Sequence, residues 1–202
     1  MTFVHWIGVV FLGLILVGII NTPEDESSSG EMEAFSDAAS SERSLESRMP
    51  EEQRRFVQVV SDHAAEFGES RNELQESRVR DRRKEAISAT LDSRSISSWV
   101  GTINQLETNM DGKAILSVRI APNIDIKTWN NAFSDLSSNT LIEKDSPIYS
   151  SLLDLSNGQR VVFSGSFFPS ESDFIEETSI TIQGSLKNPE FLFQFSSVRP
   201  IN

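Results

Sequence analysis

The spacing of apolar residues along this chain changes repeatedly, and each change marks a different kind of segment. Phe3 to Ile20 is apolar throughout except for His5. About 20 such residues are what a helix needs to cross a bilayer core, so 1–20 is predicted as a transmembrane anchor, with Trp6 in an interfacial position. The rival reading is a cleaved signal peptide. It would call for Lys or Arg before Trp6 and small residues after Ile20, and the sequence has neither. From Asn21 to Arg48 no apolar period exists and Glu, Asp and Ser prevail, so 21–48 is predicted as a disordered acidic linker. Pro50-Glu51-Glu52 then opens a helical pattern in which Phe56, Val59, Val60, Ala64 and Phe67 share one face. Leu74, Val79, Ala86, Ile87 and Leu91 continue it more thinly. The region 49–93 reads as a helical stalk, either one helix of about 60 Å or two with a break near Gly68. Its apolar face is expected to pack on the following domain or on a partner helix.

From residue 94 the period shortens to that of strands. Strand one is predicted over Ser98–Leu106, and Asn109-Met110-Asp111-Gly112 supplies a tight turn. Strand two places Ala114, Leu116, Val118 and Ile120 on one face. Strand three, Ile124–Trp129, turns Asp125, Lys127 and Trp129 outward. A polar connection leads to a short helix capped by Ser146 with Pro147 in its first turn, and Asn157-Gly158 launches the fourth strand, which Pro169 closes. A long connection over 168–188, with a strand expected at Thr178–Gln183, precedes the last strand, Glu190–Val198. There Phe191, Phe193 and Phe195 alternate, and with Phe163 and Phe167 they are expected in the core. Three strands, a helix and two strands over 94–202 is the order of an OB-like five-stranded barrel with one helix between strands three and four.

Several segments carry a resemblance. Lys127 to Asp135, Thr140-Leu141-Ile142, Gly158 to Gly165 and Pro189 to Phe195 resemble a group of uncharacterised bacterial membrane-anchored proteins with an OB-like domain. That domain is similar in class to the tRNA-anticodon-like OB family. The resemblance spans roughly Trp99 to Val198 and implies the barrel fold. It brings no catalytic residues with it.

Ligands of OB barrels lie on the face of strands two and three. That rule makes Arg119, Lys127 and Trp129 the candidate ligand-binding residues, unless Trp129 folds back onto the core. Charge then narrows the ligand. The chain carries a net charge of −12, and from Ser95 onward seven basic residues face twelve acidic ones. Single-strand binders need a basic groove with stacking aromatics, so an oligonucleotide-binding domain in the cytoplasm is the alternative reading only. The basic run Arg78, Arg80, Arg82, Arg83 and Lys84 is expected as a solvated helix face paired with Glu73, Glu76, Asp81 and Glu85. The acids at 171–177 lack an EF-hand pattern and are expected as a solvated loop. The chain has no Cys and the barrel no His, which removes thiol nucleophiles, the usual bases and the common metal sets, so no metal or cofactor is expected. The expectation is a non-enzymatic, single-pass membrane protein presenting its barrel to a protein or peptide partner at a cell envelope. Its N-terminus is expected inside and its C-terminal domain extracytoplasmic.

Overall fold

A computed structural model of the chain describes residues 45–179 and 181–201. The predicted anchor, and the linker up to residue 44, lie outside the described residues. Among those described, no helix is long and apolar enough to cross a membrane.

The helical region consists of two helices. α1 (Glu51–Gly68) begins after Pro50 with Glu51 and Glu52 in its first turn, where carboxylates face the positive end of the helix dipole. α2 (Glu73–Thr90) restarts at Asn72, whose side chain accepts a hydrogen bond from the Gln75 amide. That cap favours a second helix start over one continuous rod. Both helices belong to the same compact unit as the barrel. The apolar face of α1 closes one barrel end: Phe56 and Val60 join the main core, and the Phe56 ring lies 5.2 Å from the rings of both Trp99 and Phe191.

The barrel strands are β1 (Ser95–Thr108), β2 (Ala114–Ala121), β3 (Ile124–Lys127), β4 (Arg160–Phe167) and, last in the chain, β7 (Glu190–Pro200). They close in the order β1-β2-β3-β7-β4 and back to β1, with β3 parallel to β7. This closed five-stranded barrel is consistent with an OB-like fold. α3 (Pro147–Leu152) sits between β3 and β4, capped by Ser146 as its sequence predicts. β1 serves two neighbours, since its first half pairs with β4 and its second half with β2. Where β2 is not yet alongside, Gln53 of α1 stands in for a strand. Its buried amide donates to the Val100 carbonyl at 2.6 Å and accepts from the Val100 N–H at 2.8 Å. Gly165 marks a register shift between β4 and β7, and a Cβ there would fall 2.1 Å from the Gln194 carbonyl oxygen. Only glycine lets the two backbones approach so closely. The phenylalanine row is core: Phe163, Phe191 and Phe193 are fully buried and Phe167 and Phe195 nearly so.

Two expectations need correction. β3 stops at Lys127 rather than Trp129: the Thr128 amide still donates to the Leu116 carbonyl, but the Leu116 amide goes to the Thr128 hydroxyl instead of a backbone carbonyl, and the Trp129 amide turns to the Thr140 hydroxyl. The described residues of Thr178–Gln183 form no strand. The connection instead holds a hairpin of β5 (Pro169–Ser170) and β6 (Phe174–Ile175), then α4 (Ile182–Lys187). The Thr181 side chain accepts from the Gly184 amide and starts that helix, a capping signal that outweighs the β-propensity of its neighbours.

Candidate functional site

Three parts of the surface carry the polar and apolar groups that could bind something. The first is the outward face of β2 and β3. Cross-strand pairing sets Arg119 beside Asp125, and the guanidinium donates twice to that carboxylate, at 3.0 and 3.1 Å. Asp125 accepts a further bond from Asn104. Lys127, its side chain only 8% exposed, pairs with Glu190 at 3.2 Å, and Glu190 also accepts from the Thr178 hydroxyl. Trp129 is half-buried with its indole N–H directed at Ser138. Arg119 and Lys127 therefore share a face, and each is held by a carboxylate of the same chain. Trp129 lies beyond the strand end. Arg119 also lines a cavity of about 770 Å³ beside α1, together with Met49, Val57, Ile120 and Pro122.

The second part joins α2 to the β4–β7 connection. The partners expected for the basic run lay on its own helix, but the structure gives it others. Arg80 forms a two-bond pair with Asp173, Lys84 donates to the Glu171 carbonyl, and Arg82 reaches Glu66 on α1. Arg83 is buried, donating to Glu177 and to the Ser185 carbonyl, with Phe191 beneath its guanidinium. Of the acids at 171–177, Asp173 and Glu177 are thus the counterpart of the helix cations and are largely buried rather than solvated, while Glu171 offers only its backbone carbonyl. The contacts from α2 to Glu171, Asp173 and Glu177 span 87 to 94 positions in sequence, which local spacing rules cannot reach. A polar cavity of about 310 Å³ adjoins them, lined by Arg80, Asp173, Glu176, Glu177 and Ser hydroxyls. Among the described residues no group of His, Cys, Asp or Glu could hold a metal ion.

The paired carboxylates respond to this setting in opposite directions. Burial pushes Asp173 up, but the bonds and charge of Arg80 bring it below its usual 3.8. Burial dominates at Glu177, where Arg83 opposes it only in part, and the carboxyl is raised from 4.5 to about 7. A carboxyl raised on folding stabilises the fold fully below its unfolded value and loses that contribution as pH rises to the folded one. The thermal midpoint of the native chain should therefore fall, relative to a Glu177→Gln variant, as pH climbs from 4.5 to about 7. Parallel melting curves for the two proteins across that window would refute the raised value. Asp173 acts below this window and does not confuse it.

The third part was not visible as a site in the sequence. Of the five large apolar side chains exposed among the described residues, only Leu74 lies on a helix face away from the barrel loops. Met110 occupies the β1–β2 turn, Phe133 and Leu136 the stretch after β3, and Leu153 the end of α3. Those connections leave the barrel at one end, because Thr108 pairs with Ala114 and the end of β3 lies alongside the start of β2. Asp135, buried between Phe133 and Leu136 in sequence, accepts from the Thr140 amide and hydroxyl and from the Leu141 amide. That carboxylate fixes the loop with its apolar side chains outward. Large apolar residues inside a polar, turn-rich connection were the available signal.

No family model matches the chain, and no curated protein matches it.

Proposed function

We propose that this chain is a non-enzymatic recognition protein whose OB-like barrel binds a protein partner, held at a membrane by the apolar run 3–20. The observation that carries the reading is the display of Met110, Phe133, Leu136 and Leu153 on the loops of one barrel end. Large apolar groups exposed on braced loops at one barrel end suit a binding surface. The lack of His and Cys in the barrel supports a non-catalytic role. Kinship with bacterial membrane-anchored OB-like proteins, and an envelope location with the barrel outside, belong to the same proposal and rest on the sequence segments. A nucleic-acid ligand is disfavoured because Arg119 and Lys127 already hold carboxylates.

A photo-crosslinking residue placed at Phe133 of the full-length chain, in its native membrane, should yield a discrete protein adduct. The same residue at Leu74 should not yield it. No adduct at 133, or the same adducts from both positions, sinks the recognition reading. A reporter fused after Asn202 that is active only in the cytoplasm would remove the envelope location.

A further inference from the structure

We propose, building on that recognition reading, that the partner offers a basic amphipathic segment to the apolar rim. Its apolar side chains would seat against Met110, Phe133, Leu136 and Leu153, with lysines or arginines at their flanks. Two observations lead there, the rigidity of the rim and its charge.

The rim is braced from several directions. Ala114 and Ile142 exchange both backbone hydrogen bonds, at 2.8 and 3.0 Å, tying the β1–β2 turn to the β3–β4 connection. Lys113 pairs with Glu143 at 2.5 Å, and Lys144 lies over Gly112 so closely that a Cβ there would fall 2.1 Å from its Cε. Gly112 has φ of 76°, so the turn needs glycine for its backbone as well. Together with Asp135 these contacts present the apolar groups from backbone that is already ordered, which removes part of the entropic cost of association.

Charge selects among occupants. Asp111, Glu143, Asp145 and Asp154 are exposed around the rim. Of the two lysines there, Lys113 is taken up by Glu143. Asp111, Asp145 and Asp154 form no ion pair among the described residues. A second copy would bring the same carboxylates against themselves, on a chain whose net charge is already −12. Anionic lipid headgroups would meet the same repulsion. A segment with apolar anchors and cationic flanks meets both properties of the surface.

The test uses two synthetic helical peptides of about 18 residues, five turns. One carries leucines on one face and lysines on the other, and its counterpart has glutamates for the lysines. Each is titrated by fluorescence anisotropy against the full-length chain in zwitterionic lipid nanodiscs, with empty nanodiscs subtracted. The Leu/Lys peptide should bind saturably and the Leu/Glu peptide should not. Phe133→Ser/Leu136→Ser and Asp145→Asn/Asp154→Asn should each weaken binding by about tenfold, the order expected for loss of interface anchors. Leu74→Ser should not, and thermal midpoints should stay unchanged. Equal binding of both peptides, or affinity unaffected by the rim variants, overturns the proposal. So would rim-dependent dimerisation, or rim-dependent binding to phosphatidylglycerol vesicles, since either names a different occupant. If the Phe133 crosslink persists while the Leu/Lys preference is absent, recognition stands and the basic partner falls. If the crosslink is absent too, both fall.

Discussion

Phe56→Ala is expected to cost about 3–5 kcal/mol of stability, the range for truncating a fully buried phenylalanine. Phe56 is 0% exposed and its ring touches those of Trp99, Phe167 and Phe191, which come from three different barrel strands. Removing it opens a cavity where α1 closes the barrel, against three closely packed aromatic rings. Leu74→Ala on α2, where the side chain is 79% exposed, should stay within about 0.5 kcal/mol. Urea unfolding of both variants gives the comparison. Equal, small losses would make α1 peripheral and the barrel self-sufficient. A large loss confined to Phe56 would mean that the barrel does not stand without α1, and that fragments beginning near residue 94 are poor proxies for the protein.

That dependence bears on how much of the molecule its sequence discloses. The strands were legible because their core-facing apolar residues alternate, Ala114, Leu116, Val118 and Ile120 in β2 and Phe191, Phe193 and Phe195 in β7, even though β2, β3 and the start of β7 are buried on both faces. The Ser146–Pro147 cap and the Asp111–Gly112 turn were legible because their chemistry is local. α1 and α2 were legible as helices, and packing on the barrel was one of the two expectations for their apolar face, but an amphipathic face does not choose between a neighbouring domain and a partner helix. The same limit hid the Arg80–Asp173 and Arg83–Glu177 pairs. Charged residues have many possible partners in sequence, and only the fold of the β4–β7 connection selects one. Phe133 and Leu136 looked like ordinary loop residues until Asp135 was seen to hold the backbone behind them.

Arg83→Met should cost a comparable 3–5 kcal/mol at neutral pH, because it strips the partner from a buried carboxylate. Arg83 and Glu177 have side chains 1% and 4% exposed, so solvent cannot replace the lost bond. The Ser185 carbonyl loses a donor as well. The cost should depend on pH in a specific way. Burial already raises Glu177 to about 7 against the pull of Arg83, and without Arg83 it rises further, so acidification should return part of the lost stability. Adding Glu177→Leu to Arg83→Met should also return much of it, since replacing both members of a buried pair by apolar groups removes the stranded charge. Thermal melts of the single and double variants at neutral and mildly acidic pH distinguish the possibilities. If the double variant is as unstable as Arg83→Met and neither responds to acid, the ion pair is not the cause. The destabilisation would then belong to the Ser185 bond and the Phe191 contact, and α2 would hold the β4–β7 connection by packing and a backbone bond rather than by charge.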